Sequence, residues 1–413
     1  MQGLFTEKSG LSESVKSTKV IQINSECGRG STGKITVSIS KLLDSNGIEN
    51  YVFYSGNHKS NYANGRRIAG KLSIRIHQVL SRIFGDQGFH SSWSTMRLIR
   101  RIRKIDPDVI LLHNLHGYYL NLRMLFRFLK QYAKPVYWTL HDCWAFTGHC
   151  THFTAEKCNK WQTGCYSCVK KKQYPYSWFW DRSKQLYARK KQLFTSLPNL
   201  TLITPSEWLA QLVKQSFLGR YPVCVINNGI DLNVFKPTPS NFRQTYGIGN
   251  KKIILGVASV WSYYKGLDVF VSLHARLDRE RYQIVLVGTD RNVDQQLPEG
   301  IISIHRTQNQ KELAEIYSAA DVFVNPTREE NYPTVNMEAI ACGTQVVTFN
   351  TGGCAEMLNQ DCGIVVSDNS VDELEKMIIV ASSKQIDTEC YLQHAQQFNE
   401  RKCFEKYVRL ISN

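Results

Sequence analysis

The feature that most constrains this chain is the stretch from Val322 to Phe349. Val322-Phe323-Val324 is a short apolar run that predicts a buried strand, and Asn325-Pro326 breaks it. An irregular loop carrying Glu329 and Glu330 leads to Pro333, which is suited to open a helix, and Gly343 closes that helix. Met337, Ala339, Ile340 and Ala341 give the helix its apolar positions, and Val346 to Phe349 predicts the next strand. Strand, loop, helix and strand in that order form a parallel crossover unit. It sets Glu330 at a strand's carboxyl end and Glu338 on the following helix. In open parallel sheets that crevice is where ligands bind, and a helix start offers free backbone amides to an anion. Two solvated surface glutamates are the bland alternative.

A chain of 413 residues exceeds what one core usually serves, so two domains are expected. Hydrophobic residues at 42% and charged residues at 21% are ordinary for a globular protein. No run of 18 apolar residues exists, and 1–19 carries no apolar signal region, so a cytoplasmic chain is expected. The net charge of +16, from 51 basic and 35 acidic residues, suggests an anionic partner. Twelve cysteines in such a chain read as thiols or metal ligands before disulfides.

Taken in order, 1–18 is polar and predicted to be loose. Lys19 to Asn24 predicts a first strand, which runs into a turn containing Gly28, Gly30, Ser31, Thr32 and Gly33. The G-x-G-x-x-G spacing allows either phosphate or acceptor contact, or merely a sharp turn from strand to helix. A P-loop would need Ser or Thr after Lys34, and Ile35 stands there instead. From Leu72 to Ile83, apolar Leu72, Ile76, Val79, Leu80 and Ile83 share one helical face opposite Lys71, Arg75 and Arg82. That helix either packs on a sheet or lies on an anionic membrane. Two predicted strands, Asp108 to Leu112 and Pro135 to Leu140, deliver His113, His116, His141 and Asp142 to one crevice, where imidazoles can hydrogen-bond the hydroxyls of a ligand. Cys150, Cys158, Cys165 and Cys168, with Cys143, His149 and His152 nearby, are candidates for a structural zinc, with free thiols or disulfides as alternatives. Basic and aromatic residues interleave from Lys170 to Lys191, suiting a bilayer interface, while no RNP-type platform for nucleic acid is found.

Glu330, seven intervening residues and Glu338, followed by Ala339-Ile340-Ala341-Cys342-Gly343, resembles the pattern of family 4 retaining glycosyltransferases. The resemblance implies the GT-B fold, an α/β architecture of two Rossmann-like doubly wound domains facing across a cleft. It implies an acceptor-binding domain over 1–222, with a Cys-rich insertion at about 143–168. A nucleotide-sugar domain over 223–390 would follow, then a C-terminal helix over 391–413 crossing back. Asn228-Gly229-Ile230-Asp231 resembles the family's hinge. By the same resemblance Glu330 contacts the transferred sugar, Glu338 holds the ribose, and Asn331, Tyr332, Pro333, Thr334 and Val335 face the diphosphate. Lys265 meets the leaving group, Arg306 ends a strand beside the base, and a functional histidine is expected at His113, with His116 as alternative. Most members carry an Arg shortly before the Lys; here Ser259, Val260 and Trp261 stand there, leaving Arg328, Arg29 or Lys34 as substitutes. Gly352, Gly353 and Glu356 would approach the donor. His141-Asp142-Cys143-Trp144-Ala145-Phe146-Thr147-Gly148-His149-Cys150 resembles bacterial exopolysaccharide glycosyltransferases related to colanic-acid enzymes.

The implied activity is metal-independent, front-face transfer of a hexosyl unit. The donor would be a UDP- or GDP-linked sugar, and the acceptor a glycan or polyprenyl-diphosphate-linked glycan. The enzyme would work at the inner face of the membrane, with no nucleic-acid partner. The competing expectations are a catalytically silent scaffold relative, suggested by the missing Arg, and a nucleic-acid-binding protein, suggested by the charge.

Overall fold

The computed structural model describes residues 18–385 and 387–412, so the polar stretch 1–17 lies outside the described residues. Seven strands, β1 (Lys19–Asn24), β2 (Glu49–Tyr54), β3 (Gly65–Arg67), β4 (Val109–Leu112), β5 (Val136–Thr139), β6 (Leu200–Thr204) and β7 (Val223–Val225), form one sheet. Its order is β3-β2-β1-β4-β5-β6-β7. Six more, β8 (Lys252–Val257), β9 (Tyr282–Val287), β10 (Ile302–Ile304), β11 (Val322–Asn325), β12 (Gln345–Phe349) and β13 (Gly363–Val366), form the second, ordered β10-β9-β8-β11-β12-β13. All the strand pairs are parallel. Runs such as Val109-Ile110-Leu111-Leu112 are buried on both faces because helices cover both sides. The chain therefore has the GT-B architecture: two Rossmann-like α/β units in which strand order reverses beside the first strand of each sheet.

Two segments lie elsewhere than the sequence suggests. Val223–Val225 pairs with β6 and closes the edge of the first sheet instead of opening the second unit. The helix Thr388–Ala395 stays with the second unit, where Tyr391 and Ala395 join a core with Met337 and Ile340. Only the final helix, Glu400–Ser412, crosses back: Phe404, Tyr407 and Ile411 pack with Val20, Ile35 and Ile39. The crossing is fixed at the hinge, where Ile230 N–H donates to Phe398 O at 2.8 Å and Glu400 N–H returns to Ile230 O at 3.0 Å. Gly229 is required there, since a Cβ would lie 2.4 Å from the Glu400 Cα.

The helix Lys71–Phe84 turns its apolar stripe outward. Ile74, His77 and Ser81 are buried, while Leu72, Ile76 and Val79 are 72%, 51% and 45% exposed. Packing of that stripe on the sheet is excluded. The loop after the cysteines extends the same surface: Trp178 N–H donates to Arg82 O at 2.7 Å, and Arg82 lies over the Tyr176 ring at 5.3 Å. Trp178, Phe179 and Trp180 are exposed beside it.

Candidate active site

β8 and β11 are neighbours, so their carboxyl ends discharge two loops side by side. Thr327 Oγ1 donates to Tyr264 O at 3.1 Å and Arg328 N–H to the same oxygen at 2.9 Å, zipping the loops together. Gly266, at φ +75°, passes so close to Pro326 that a Cβ would sit 2.6 Å from it. This close passage sets Lys265 Nζ 2.6 Å from Glu330 Oε2. Asn331 N–H donates to Glu330 Oε1 at 3.0 Å. Burial pushes the Glu330 carboxyl up, but the Lys265 ammonium, the Asn331 N–H and His152 together hold the acid below its ordinary range. Burial lowers Lys265 in turn, and Glu330 more than restores it. Both groups are therefore charged at neutral pH.

Gly352 and Gly353 back this loop. A Cβ on Gly352 would lie 2.1 Å from Glu330 O, and Gly353 N–H donates to Asn331 O at 2.6 Å. Their close approach is thus to the Glu330 loop itself. The helix Thr334–Ala341 starts at Pro333 with no side chain capping it, which leaves amides near Thr334 and Val335 available to an anion. Glu338, one helical stretch onward, has its carboxyl raised by burial and receives the Tyr317 hydroxyl at 3.1 Å. Lys34, from the glycine-rich turn of the other unit, is close enough to pull that carboxyl down. Arg306 and Ser259 stand exposed after β10 and β8, and Trp261 is buried with Nε1–H donating to Val287 O at 3.0 Å. Arg328 is committed to Asp268 through two 2.8 Å hydrogen bonds, and Arg29 lies 2.9 Å from His58 Nδ1. Of the substitutes considered for the missing Arg, Lys34 is the one that faces Glu338.

In the first unit Gly28 and Gly30 adopt φ +73° and +63°, and Gly28 N–H donates to Gly33 O at 2.8 Å. Gly28, Gly30 and Ser31 are exposed, Thr32 is half-buried, and Gly33 packs on Glu26. His113 is 1% exposed, with Nε2 3.0 Å from Gln22 Oε1 and Nδ1 3.2 Å from His141 Nε2. The ring is thus buried and hydrogen-bonded, and it lines a small cavity together with His116, His141 and Asp142. His116 lies nearer the surface, 2.9 Å from Asp142 Oδ2 and 2.9 Å from the Tyr174 hydroxyl. Burial would raise Asp142, yet His116 and its other neighbours bring it to about 2. Asn331 joins the units, donating to His141 O at 2.9 Å and accepting from Ser206 Oγ at 2.6 Å. Glu356 reaches across instead of toward a donor, accepting Glu207 N–H at 2.8 Å and Trp208 N–H at 2.7 Å at a helix start.

The insertion contributes more than the sequence suggests. Cys150, Cys158, Cys165 and Cys168 line a cavity of about 270 Å³ with His149 and Trp161. Among the described residues, however, no group of three or more His, Cys, Asp or Glu is placed to hold a metal ion. A structural zinc is therefore not shown; Gly148 N–H donates to Cys165 Sγ at 3.1 Å, and Cys150 shares a hydrogen bond with Cys168. Lys170 forms a hydrogen-bonded ion pair with Glu329 and lies 3.2 Å from Glu156, above the Tyr264 ring at 4.2 Å. Burial pushes Glu329 up to about 7 against the pull of Lys170. Thr154 Oγ1 donates to Arg328 O at 2.8 Å, so the insertion grips the Glu330 loop directly. No local pattern announces these contacts.

Two family models match the chain: Glycosyltransferase Family 4 over residues 32–234 and Glycosyl transferases group 1 over residues 251–383. An Escherichia coli (strain K12) protein, named as a colanic acid biosynthesis glycosyl transferase, WcaC, is 25% identical over 418 residues, spanning 95% of this chain and 99% of its own. A Campylobacter jejuni subsp. jejuni protein, named N,N'-diacetylbacillosaminyl-diphospho-undecaprenol alpha-1,3-N-acetylgalactosaminyltransferase, is 25% identical over 216 residues, 49% of this chain and 57% of its own. Among solved structures, the sucrose-phosphate synthase of Thermosynechococcus elongatus superposes with TM-score 0.69 at 15% identity, over 95% of this chain and 98% of its own. Anabaena Alr3699/HepE in complex with UDP gives 0.63 at 16%, over 96% and 100%. With both halves matched and the GT-B architecture in place, the chain belongs to the family 4, group 1 glycosyltransferases.

Proposed function

We infer that the enzyme moves a hexosyl unit from a UDP- or GDP-linked sugar to a glycan or polyprenyl-diphosphate-linked acceptor, in the synthesis of an exopolysaccharide, capsule or O-antigen. One observation carries this reading: the charged Glu330–Lys265 pair at the strand ends, beside the uncapped helix start that leads to Glu338. The names of the E. coli and Campylobacter relatives support the acceptor class, and the UDP complex of HepE supports a nucleotide-linked donor. The second unit, from Ile230 to Phe398, would hold the donor, and the first, up to Ile226, the acceptor. Transfer proceeds with retention. An acceptor hydroxyl attacks the anomeric carbon from the face of the leaving group, the bond to the diphosphate oxygen breaks, and that oxygen takes the hydroxyl proton. Lys265 and the helix amides neutralise the departing diphosphate without a metal, Glu330 orients the sugar, and Glu338 grips the ribose. His116 with Asp142, and His141, are the first unit's groups for the acceptor. A thermal-shift screen against UDP- and GDP-sugars is expected to raise the melting temperature with at least one donor, and no shift with any of them would defeat the reading. A catalytically silent relative is favoured by Ser259 alone, and turnover of the bound donor excludes it.

The outward stripe supplies the surface such an enzyme needs. Leu72, Ile76, Val79 and Trp178 are exposed among Lys71, Arg75 and Arg82, a match for anionic phospholipid. The attachment in this reading is peripheral, on the cytoplasmic face; no helix among the described residues is long and apolar enough to cross a membrane. Leu72→Ser, Ile76→Ser and Val79→Ser together are expected to cut co-flotation with phosphatidylglycerol vesicles at least tenfold while soluble donor binding persists. Undiminished flotation of the triple variant would rule this face out.

A further inference from the structure

One titratable side chain at the meeting of the two units is left without a partner among the described residues. His152 belongs to the cysteine-rich insertion, and its Nδ1 is shut from solvent with no hydrogen-bond partner among the described residues. Its charge state is coupled to Asp142 of the first unit, to Glu330 and Lys265 of the second, and to Lys170 of its own insertion. Asp142 and Glu330 respond to it in return. The loop is held on both sides of His152. Cys143 N–H donates to Thr151 O at 2.8 Å, and the Phe153 ring stacks on Trp161 at 5.1 Å. Thr154 Oγ1 is bonded to Arg328 O, two residues before Glu330.

Buried polar atoms in native proteins mostly find partners, and among the dozen left open in the described residues this one belongs to a ring that feels the charges of both Glu330 and Lys265, where a ligand would supply the missing bond. Burial keeps this imidazole below its ordinary range and hence neutral near pH 7. A neutral ring donates from one nitrogen and accepts at the other, which suits a sugar hydroxyl, itself donor and acceptor, better than a phosphate, which only accepts and favours a charged donor. The geometry points to His152 as a further substrate-contacting residue, whose ring hydrogen-bonds a hydroxyl of the transferred sugar while Glu330 and Lys265 hold that sugar and its leaving diphosphate. This rests on the donor-site reading above.

The test compares wild type, His152→Ala and His152→Asn by thermal shift and calorimetric titration, with UDP and GDP alone and with their hexose-linked forms. His152→Ala is expected to bind the nucleoside diphosphate as wild type does but the nucleotide sugar about fivefold more weakly, the worth of one neutral hydrogen bond. His152→Asn, which keeps a polar atom near the Nδ1 position, is expected to recover part of that loss. Equal weakening toward diphosphate and nucleotide sugar, or no weakening toward either, overturns the assignment. A wild-type chain that binds the diphosphates but gains nothing from the sugar overturns it too. A wild type that binds none of these compounds strikes down the donor site and this assignment together.

Discussion

Glu330→Ala is expected to lower glycosyl transfer by roughly two to three orders of magnitude, the cost typical of removing one preorganised electrostatic group from a transition state. The carboxylate has two partners, Lys265 Nζ at 2.6 Å and Asn331 N–H at 3.0 Å. Both lose an acceptor in the variant. The fold should survive, because the Lys265 side chain is 35% exposed and water can solvate its ammonium. The loss should therefore fall on rate and not on the far-ultraviolet circular dichroism spectrum. Glu330→Gln separates shape from charge. It can still accept from Asn331 N–H, so it should keep the loop in place, yet without the negative charge it is expected to remain at least tenfold slower than wild type. Steady-state transfer from the donor found in the thermal-shift screen checks both variants. Full activity in Glu330→Ala would remove the carboxylate from the mechanism, and with it the positioning role given to Lys265.

The second large effect is acid lability well above the carboxylate range. His77, His113 and His149 are buried, and each is held neutral. Burial, aided by His90, lowers His77 to about 3, and burial with Lys190 lowers His149 to about 4. His113 is displaced well below its ordinary value, by burial and then by His141. For His77 the hydrogen bonds give the same answer, since its Nε2 accepts Gly88 N–H at 3.3 Å and would lose that bond on protonation. Their folded pKa values lie below the unfolded value, so the unfolded chain takes up protons that the native chain refuses. The stability they contribute is complete above about pH 6.5 and is lost as pH falls from there toward 4. Each costs about 1.4 kcal/mol per pH unit inside that window, so the three together remove roughly 4 kcal/mol between pH 6 and 5. That is a large part of the 5 to 15 kcal/mol, roughly, that holds an ordinary domain together. Glu329, raised by burial to about 7, acts in the opposite sense, since its contribution is present below 4.5 and fades as pH rises through 7. Glu26, Glu338, Glu356 and Glu400 are raised by burial in the same sense as Glu329, while His141, lowered by burial to about 4, and His152 join the three histidines on the other side, and the net slope is expected to stay positive. Urea unfolding at pH 7.5, 6 and 5 measures the slope, and His77→Asn should flatten it by one proton. A flat profile from pH 7 to 5 would contradict these assignments.

Much of this protein was legible in the sequence because it is written in contiguous runs. Apolar segments separated by turn residues announce parallel strands and crossover helices, since local burial and local backbone geometry impose both patterns on neighbouring residues. The Glu330 to Glu338 spacing is local in the same way: a strand end, a loop and one helix determine it. Lys265 could be singled out only through the family resemblance, as a partner for the diphosphate; its ion pair with Glu330 at 2.6 Å is a contact that only the fold shows.

The rest was decided by contacts between segments far apart in the chain. Lys170 and Glu329 are separated by 159 residues, and no periodicity in either segment marks them as partners. His152 read as one more residue among cysteines until the insertion was folded onto the Glu330 loop. His113 and His116 look equivalent along the chain, yet the approach of Gln22 and His141 buries one ring while the other stays near the surface. The stripe of Leu72, Ile76 and Val79 has the same helical period whether it faces a sheet or solvent, and the orientation of the whole helix makes that choice. Sequence thus determined the elements and the donor-side motif, because short-range sterics and hydrophobic period act on adjacent residues. Tertiary structure alone decided which side chains are satisfied and which are left open, because partners in a folded chain are chosen by proximity in space.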